Sequence, residues 1–334
     1  MVKRNFLDRP LPRSVARFKE APTSPYKVYT DRPNARIELM DKGLVGFENT
    51  NVIIRSRRHH CPCGEHIGPL SIFFVSKGQE ACEIDGRRFV LDESAYLIHN
   101  LGQRVSGETI LETEVDSLVI GFWPGFAEDV LRSLTTPTDQ LLDTPKESAL
   151  QPVQFFNQLY PHDKILSPAL FRLRASLESD TVHHGWLEEQ NHLLLERLLY
   201  VHRNIRNDIE SVPAIRASTR TEIYQRLHRA RDFMEANLDR PVTIIEIASA
   251  AWFSPHHFLR LFKQVFHETP HQYLIRRRLE RAQRLLIHSD IPITDICFSV
   301  GFESPGSFSW LFRQRIGQSP EQFRRLHRAH DSRK

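Results

Sequence analysis

The sequence predicts a two-domain α+β protein, with a small β-barrel in residues 1–135 and an all-α module from residue 211 onward. Four observations support this fold class. Short apolar strand-like segments separated by turn residues fill the first 130 residues. A helical unit of about fifty residues occurs twice near the C-terminus, and the charge is divided unevenly between the two parts. A chain of 334 residues has the length of two ordinary domains.

The predicted barrel is clearest between residues 70 and 100, where the chain reads LSIFFVSKGQEACEIDGRRFVLDESAYLIHN. Asp85 and Gly86 separate two apolar runs and form a dipeptide typical of a tight hairpin turn. Short strands with frequent turns favour a small barrel or sandwich with flanking helices. The mouth of such a barrel is a natural pocket for a small ligand.

Within the same region, the stretch RHHCPCGEHIG concentrates possible metal ligands. The candidates are His59, His60, Cys61, Cys63 and His66, with Glu65 nearby and His99 much later. Adjacent histidines on a strand point to opposite faces, so the spacing argues against a catalytic metal site. Thiolate and imidazole together suit zinc or copper, so a regulatory metal or thiol sensor is one interpretation and a polar loop with incidental histidines is the other. No cofactor is expected.

Residues 136–210 are predicted to form a helical dimerisation or linker region, beginning with a Pro- and Thr-containing loop. A helix from Gly185 to Arg206 keeps one face apolar. The apolar residues are Leu187, Leu194, Leu198, Val201 and Ile205. This face either packs onto the barrel or forms a dimer contact. Residues 208–220 are predicted to be the interdomain linker.

The C-terminal part is basic, whereas the rest of the chain is not. From Arg220 onward there are 19 Lys and Arg against 12 Asp and Glu, a balance of +7, whereas the preceding residues hold 26 against 29, a balance of −3. Such asymmetry is typical of a module that binds a polyanion, although solvated basic helices can also produce it.

The basic C-terminal part contains an internal sequence repeat. At an offset of 50 residues Phe258 falls on Phe308 and Phe262 on Phe312, whereas at an offset of 49 Ile247 falls on Ile296. One residue is therefore inserted in the turn between the paired segments. The chain contains two copies of one helical unit.

Each copy is predicted to be a helix, a tight turn and a second helix. Thr243 and Glu246 have capping-box spacing at the start of the first helix. Ser254 is placed as the N-cap of the second helix, with Pro255 at its first position. The second helix buries an apolar stripe, and the polar residues at its front face outward as a major-groove recognition helix requires.

Residues 222–328 resemble the DNA-binding domain of the AraC/XylS family of transcription regulators. The resemblance is carried by EIASAAWFSPHHFLRLFKQVFHETPHQYLIRRRLERAQRLL and IPITDICFSVGFESPGSFSWLFRQRIGQSPEQFRRL. It implies two helix-turn-helix units, at about 243–266 and 292–316, joined by a helix from about Gln272 to His288. The order of the predicted strands in residues 1–135 is similar to that of the cupin-like sensor domain found in such regulators, although this resemblance is weaker.

The resemblance places base-facing side chains at His256, Leu259 and Arg260, and Arg260 is suited to bidentate recognition of guanine. The residues expected on DNA are His256, His257, Leu259, Arg260 and Lys263 in the first unit, and Ser307, Ser309, Trp310, Arg313 and Arg315 in the second. Trp310 is expected to contact thymine methyl groups or sugars, or alternatively to pack within the chain. Of the cluster Arg276 to Arg284, one or two members are expected on DNA and the others in solvent or paired with acids such as Glu280.

The chain departs from the family pattern at two places. The second unit carries Pro305, Gly306, Ser307, Ser309 and Trp310 where the family places longer polar groups or an arginine. Trp252 stands in the turn where the family prefers glycine, as the second copy has at Gly301. If this position requires positive φ, the tryptophan is strained.

The predicted function is that of a ligand-responsive transcription regulator, more often an activator than a repressor in this family. The resemblance implies a homodimer that binds promoter DNA, a small effector and RNA polymerase. A cytoplasmic location is expected, because no signal peptide or membrane-spanning run is recognisable. No Ser/His/Asp arrangement or Gly-rich phosphate loop indicates an enzyme. The alternatives are a metal or redox sensor that uses Cys61, Cys63 and His66, and a metal-dependent cupin enzyme fused to a DNA-binding module.

Overall fold

The computed structural model of the chain describes residues 26–32, 38–40, 43–45, 49–58, 63–109, 114–136, 152–178, 183–210, 212 and 217–331. Within these ranges the chain divides into two compact units. The first comprises the residues up to Arg87 and Leu91–His202, and the second comprises Arg88–Val90 and the residues from Arg203 onward. The first unit is rich in β-strands and the second is helical, as the sequence predicts.

The strands of the first unit are short and antiparallel. They are β1 Tyr26–Thr30, β2 Glu38–Met40, β3 Gly43–Val45, β4 Val52–Arg58, β5 Cys63–Ile67, β6 Leu70–Lys77, β7 Gln79–Ile84, β8 Arg87–Asp92, β9 Ala95–His99, β10 Arg104–Thr109, β11 Val115–Phe122 and β12 Leu159–Pro161. They form a six-stranded sheet in the order β1-β4-β11-β6-β9-β12, a four-stranded sheet in the order β5-β10-β7-β8, and a β2-β3 pair. The described strands remain in these separate sheets and do not close into a barrel.

The predicted hairpin turn between β7 and β8 is confirmed. Asp85 and Gly86 have φ angles of 49° and 76°. Two consecutive positive φ angles define the turn whose twist matches that of paired strands, and an Asp-Gly dipeptide adopts them readily. The neighbouring strand completes the turn, because Asp85 Oδ1 accepts the Arg104 amide at 3.0 Å.

Among the described residues, three helices accompany the sheets: α1 Phe126–Thr135, α2 Ser167–Ser176 and α3 His184–Glu210. A buried ion-pair cluster attaches α2 to the large sheet. Asp116 on β11 has a side chain only 6% exposed and lies 3.1 Å from Arg55, 3.2 Å from Arg57 and 2.8 Å from Arg174. Arg174 belongs to α2, so one carboxylate connects β4, β11 and the helix.

This cluster predicts a pH dependence of the first unit's stability. Burial alone would raise the pKa of Asp116, but the hydrogen bonds and charges of Arg55 and Arg174 lower it below its ordinary value of 3.8. A carboxyl group whose pKa is lower in the folded state stabilises fully above its unfolded pKa, and this contribution disappears as the pH falls through the folded pKa. We expect Asp116→Asn to lower stability at pH 7, and its difference from wild type to shrink below about pH 4.

The measurement requires a probe confined to the first unit. The chain has four tryptophans, of which Trp123 and Trp186 lie in that unit. In a Trp252→Phe, Trp310→Phe background, urea unfolding followed by fluorescence therefore reports on the first unit alone. A difference between Asp116→Asn and its parent that stayed constant from pH 7 to pH 3 would contradict the assignment.

Helix α3 packs against the first unit through the face that the sequence marks as apolar. Leu187, Leu194 and Leu198 are buried, with exposures of 0–2%. Beside them, Asn191 Nδ2 donates to Asp31 Oδ2 at 3.2 Å. The packing alternative is therefore correct for these leucines, and any dimer contact of α3 must use another face. The observed helix extends to Glu210, so the predicted linker 208–220 is helical at both of its ends.

The second unit consists of seven helices within residues 217–331. They are α4 Ala217–Glu235, α5 Ile244–Ala250, α6 Pro255–Phe266, α7 Pro270–His288, α8 Ile293–Ser299, α9 Pro305–Ile316 and α10 Pro320–Asp331. They enclose two apolar cores, one around Phe258 and Phe262 and the other around Phe308 and Phe312. Helix α7 contributes Tyr273 and Leu274 to the first core and its later residues to the second. One helix thus joins the two cores.

No helix in the described ranges has the length and apolar content needed to cross a membrane.

Candidate DNA-binding surface

The predicted internal repeat is present in the structure. Helices α5 and α8 begin 49 residues apart, and α6 and α9, which begin at Pro255 and Pro305, are 50 apart. The additional residue therefore lies in the turn between the paired helices, as the sequence predicts. Both turns contain a residue with left-handed backbone at the equivalent position, because Trp252 has a φ of 55° and Gly301 a φ of 78°.

The local sequence explains where these helices start. The predicted capping box at Thr243 and Glu246 is confirmed. The Glu246 carboxylate accepts hydrogen bonds from the Thr243 amide, Arg240 and the Thr243 hydroxyl, which lower its pKa to about 2. Ser254 occupies the N-cap position of α6, and Pro255 is the first residue of the helix. The Ser254 side chain makes no capping hydrogen bond. In the second copy, the Ser304 side chain caps α9 by accepting a hydrogen bond from the Ser307 amide at 3.1 Å.

Helix α6 has one buried face and one exposed face. Phe258, Leu261 and Phe262 are 0–2% exposed and belong to the first core. The residues predicted to face DNA all lie on the exposed side; they are His256, His257, Leu259, Arg260 and Lys263. Their exposure is as predicted, and their contact with DNA remains a prediction.

The exposed side of α6 carries cationic side chains that can attract an anion. Arg260 and Lys263 make no ion pair with any residue in the described ranges. The His257 ring meets Phe253 edge to face, with ring centroids 5.5 Å apart. The front of the helix therefore presents an unpaired guanidinium and an ordered imidazole to solvent.

Helix α9 repeats this orientation with different chemistry. Phe308 and Phe312 are fully buried, whereas Ser307, Arg313 and Arg315 are exposed and Ser309 is half-buried. The Trp310 side chain is 66% exposed. The packing alternative for Trp310 is therefore wrong within the described unit, and its indole lies on the exposed side of α9.

Trp252 is the strained tryptophan that the sequence suggests. A φ of 55° is unusual for a bulky residue and costs on the order of 1 kcal/mol. Two arginines of α4 stabilise it, because the Arg229 guanidinium lies 4.0 Å from the Trp252 ring centroid and Arg226 donates to the Trp252 carbonyl at 3.2 Å. No local sequence pattern indicates these partners, which are more than twenty residues away.

Three consecutive arginines in the middle of α7 make contacts within the protein, and a DNA contact by any member of the cluster remains a prediction. Arg276 pairs with Glu268 and Glu280, and Arg277 pairs with Glu280 as well as with Glu235 on α4. The prediction that Glu280 pairs with members of this cluster is confirmed. Arg278 donates to backbone carbonyls, which leaves all three engaged within the protein.

Glu235 is a position that sequence reasoning missed. Its side chain is 9% exposed, and it accepts hydrogen bonds from both Tyr273 and Arg277 on α7. Burial and the Glu235 charge raise the pKa of the Tyr273 hydroxyl well above its ordinary value, so it remains a donor. These contacts fix α7 against α4, and residues about forty positions apart show no periodic pattern that could have indicated them.

The predicted metal cluster mostly lies outside the described residues. His59, His60 and Cys61 are outside them, and Cys63 is described only as part of β5. His66 Nδ1 lies 2.9 Å from the Gly64 carbonyl oxygen, and His99 is buried, which lowers its pKa to about 4. Within the described ranges no group of three or more His, Cys, Asp or Glu side chains is arranged to hold a metal ion.

Comparisons with known proteins match the helical unit. A family model described as a helix-turn-helix domain matches residues 247–326. The HTH-type transcriptional activator RhaS of Escherichia fergusonii is 38% identical over 99 residues, which cover 30% of this chain and 36% of that protein. The regulatory protein SoxS of Salmonella typhimurium is 30% identical over 93 residues, which cover 28% of this chain and 87% of that protein.

A solved structure of a transcriptional regulator from Chromobacterium violaceum, described as having an AraC-type DNA-binding domain, is 30% identical and covers 34% of this chain and 96% of that one, with a TM-score of 0.30. The chain spans about a third of the length of the first curated relatives it matches, with 37% and 32% of each covered. The residues matched by the family model are those that carry α5 to α10.

Proposed function

The chain belongs to the AraC family of transcription regulators, and we propose that it is a sequence-specific DNA-binding regulator whose recognition helices α6 and α9 enter successive major-groove segments. The observation that carries this proposal is the duplicated unit in which both equivalent helices bury one face and expose polar and basic side chains on the other. Two such helices in one chain recognise a longer site than one helix alone and fix the spacing between its halves.

Helix α7 supports the spacing that this mode of binding requires. It has 19 residues, which at 1.5 Å per residue gives a length of about 28 Å. One turn of DNA is about 34 Å, so a helix of this length, with the width of the units at its ends, suits two adjacent segments on one face of the duplex. Its participation in both cores holds the two recognition helices in a fixed relation.

The direct test is selection of genomic fragments by the purified full-length protein, followed by fluorescence anisotropy titration of the best fragment and of random DNA. A discrete motif bound about 10³-fold or more tightly than random DNA would support the proposal. Equal affinity for every sequence would contradict it.

The arginines at the C-terminal end of α9 are assigned to the phosphate backbone. Arg313 and Arg315 are exposed and make no ion pair with a described residue. We expect Arg315→Ala to weaken binding to the selected fragment and to random DNA by similar factors, because phosphate contacts carry no sequence information. The slope of log K against log salt should become shallower by about 0.9, the value for one lost phosphate contact.

The neutral and exposed neighbour Gln314 provides the control for this prediction. Gln314→Ala should leave both the affinity and the salt slope unchanged. A loss for Arg315→Ala that was confined to the selected fragment would instead place Arg315 at a base edge.

The first unit is proposed to be a cupin-like domain that binds a small effector. The effector would control the binding of promoter DNA by a cytoplasmic homodimer, and the dimer would recruit RNA polymerase. The support is the family and the separate β-rich unit. DNA affinity measured before and after exhaustive dialysis, with and without a deproteinised cell extract, tests the sensor role. Metal analysis of protein purified without a histidine tag distinguishes an organic effector from a metal bound by the Cys61 to His66 segment.

A further inference from the structure

The two recognition helices present different chemistry at equivalent positions. Superposing α9 on α6 at the offset of 50 places Trp310 at the position of Arg260, Ser309 at that of Leu259 and Gly306 at that of His256. The first helix offers a guanidinium to the DNA, whereas the second offers an indole. If each helix enters a major groove, the two halves of the site must differ.

Trp310 is by far the longest side chain at the front of α9. Its neighbours on the exposed surface, Gly306, Ser307 and Ser309, are short, so none of them extends as far from the helix axis. Because the Trp310 side chain is 66% exposed, a large apolar ring surface is available to a partner at this face of the helix. The short neighbours leave room for that partner to approach the ring.

The charge beside Trp310 favours DNA as the partner. Arg313 lies one helical turn after Trp310, and Arg315 follows; both are exposed and unpaired among the described residues. These cations suit a phosphate backbone on either side of a groove. Indole has one hydrogen-bond donor and no acceptor, so most of what it can recognise is apolar. In the major groove the apolar group that distinguishes one base from the others is the thymine methyl.

We propose that α9 recognises thymine through contact of the Trp310 ring with the C5-methyl group, so that the DNA site has a guanine-containing half under α6 and a thymine-containing half under α9. This inference rests on the proposed function. It makes Trp310 the specificity-determining residue of the second unit, in the place where the first unit uses Arg260.

Replacement of thymine by deoxyuridine tests the contact, because it removes the methyl group and leaves every hydrogen-bonding group in place. Each thymine of the selected fragment is replaced in turn, and the full-length protein is titrated by anisotropy. Wild type should lose about fourfold in affinity per contacted methyl, the factor that corresponds to about 0.8 kcal/mol for one buried carbon group. The thymines whose replacement lowers affinity should be neighbours in the DNA sequence. They should lie about 10 base pairs from the guanine that wild type, but not Arg260→Ala, distinguishes from other bases.

Two variants assign the effect to the indole. Trp310→Ala should bind the thymine and deoxyuridine fragments with equal affinity, and Trp310→Arg should exchange sensitivity to the methyl for a preference for guanine. Gln314→Ala, at an exposed neutral position of the same helix, is the matched control and should retain the sensitivity to the methyl group. Because Trp310 is exposed, circular dichroism of its variants should equal that of wild type.

The outcomes separate this inference from the proposed function. If no motif is selected, the proposed function fails before Trp310 is examined. If a motif is selected and Arg260 discriminates within it, but the deoxyuridine scan is flat or Trp310→Ala shows the same losses as wild type, only the thymine assignment is overturned.

Discussion

Replacing Gly301 with alanine should destabilise the second unit by about 3 kcal/mol or more, which is a large fraction of the stability of an ordinary domain. The glycine has a φ of 78°, and a Cβ atom placed there would lie 2.2 Å from the Leu238 carbonyl oxygen and 2.8 Å from Arg278 Nη2. That carbonyl accepts a hydrogen bond from Arg278 Nε at 3.1 Å. The added methyl would therefore displace backbone and break the contact that connects α7 with the segment after α4.

Gly317 provides the matched control for this substitution. It ends α9 with a φ of 87°, but a Cβ atom there meets nothing within 4 Å. Gly317→Ala should therefore cost only the backbone strain of a left-handed residue, about 1–2 kcal/mol. Urea unfolding in a Trp123→Phe, Trp186→Phe background reports on the second unit through its own tryptophans. Equal losses for the two alanine variants would contradict the steric argument.

The first copy shows why the neighbours of this turn position decide the cost. Trp252 has a similar φ of 55°, and its 65% exposed ring extends into solvent and stacks with Arg229. The repeated sequence predicted that these two positions share a conformation. It could not show that Leu238 and Arg278 crowd one of them, because those contacts join distant parts of the chain.

The same distinction applies to the rest of the fold. Local patterns sufficed for the turn at Asp85 and Gly86, the capping box of α5 and the buried stripe of α6, because each depends on residues within one or two turns of the chain. The strand order β1-β4-β11-β6-β9-β12 depends on pairings between strands far apart in sequence. The attachment of Arg277 to Glu235 is equally non-local, so the sequence alone did not show that this arginine of the basic α7 cluster pairs with an acid of the same unit.

Replacing Arg260 with alanine should weaken binding to the selected fragment by about 1–3 kcal/mol, a factor of about 5 to 150, while affinity for random DNA changes little. The side chain is exposed at the front of α6 and has no ion-pair partner among the described residues, so its guanidinium is free to donate two hydrogen bonds to guanine O6 and N7. The loss should be greatest for the wild-type guanine and small for fragments in which that base is changed. Anisotropy titrations on a set of single-base variants measure this difference.

Arg172→Ala is the control, because it removes one positive charge from an exposed position of the first unit. It should leave affinity and base preference unchanged. A loss for Arg260→Ala that was equal on all fragments, with a salt slope shallower by about 0.9, would identify a phosphate contact in place of a base contact. Discrimination in the first half-site would then have to come from His256 and Leu259, which share the exposed side of α6 with Arg260. The choice between these results depends on one geometric fact, namely which side chain at the front of α6 reaches the base edges.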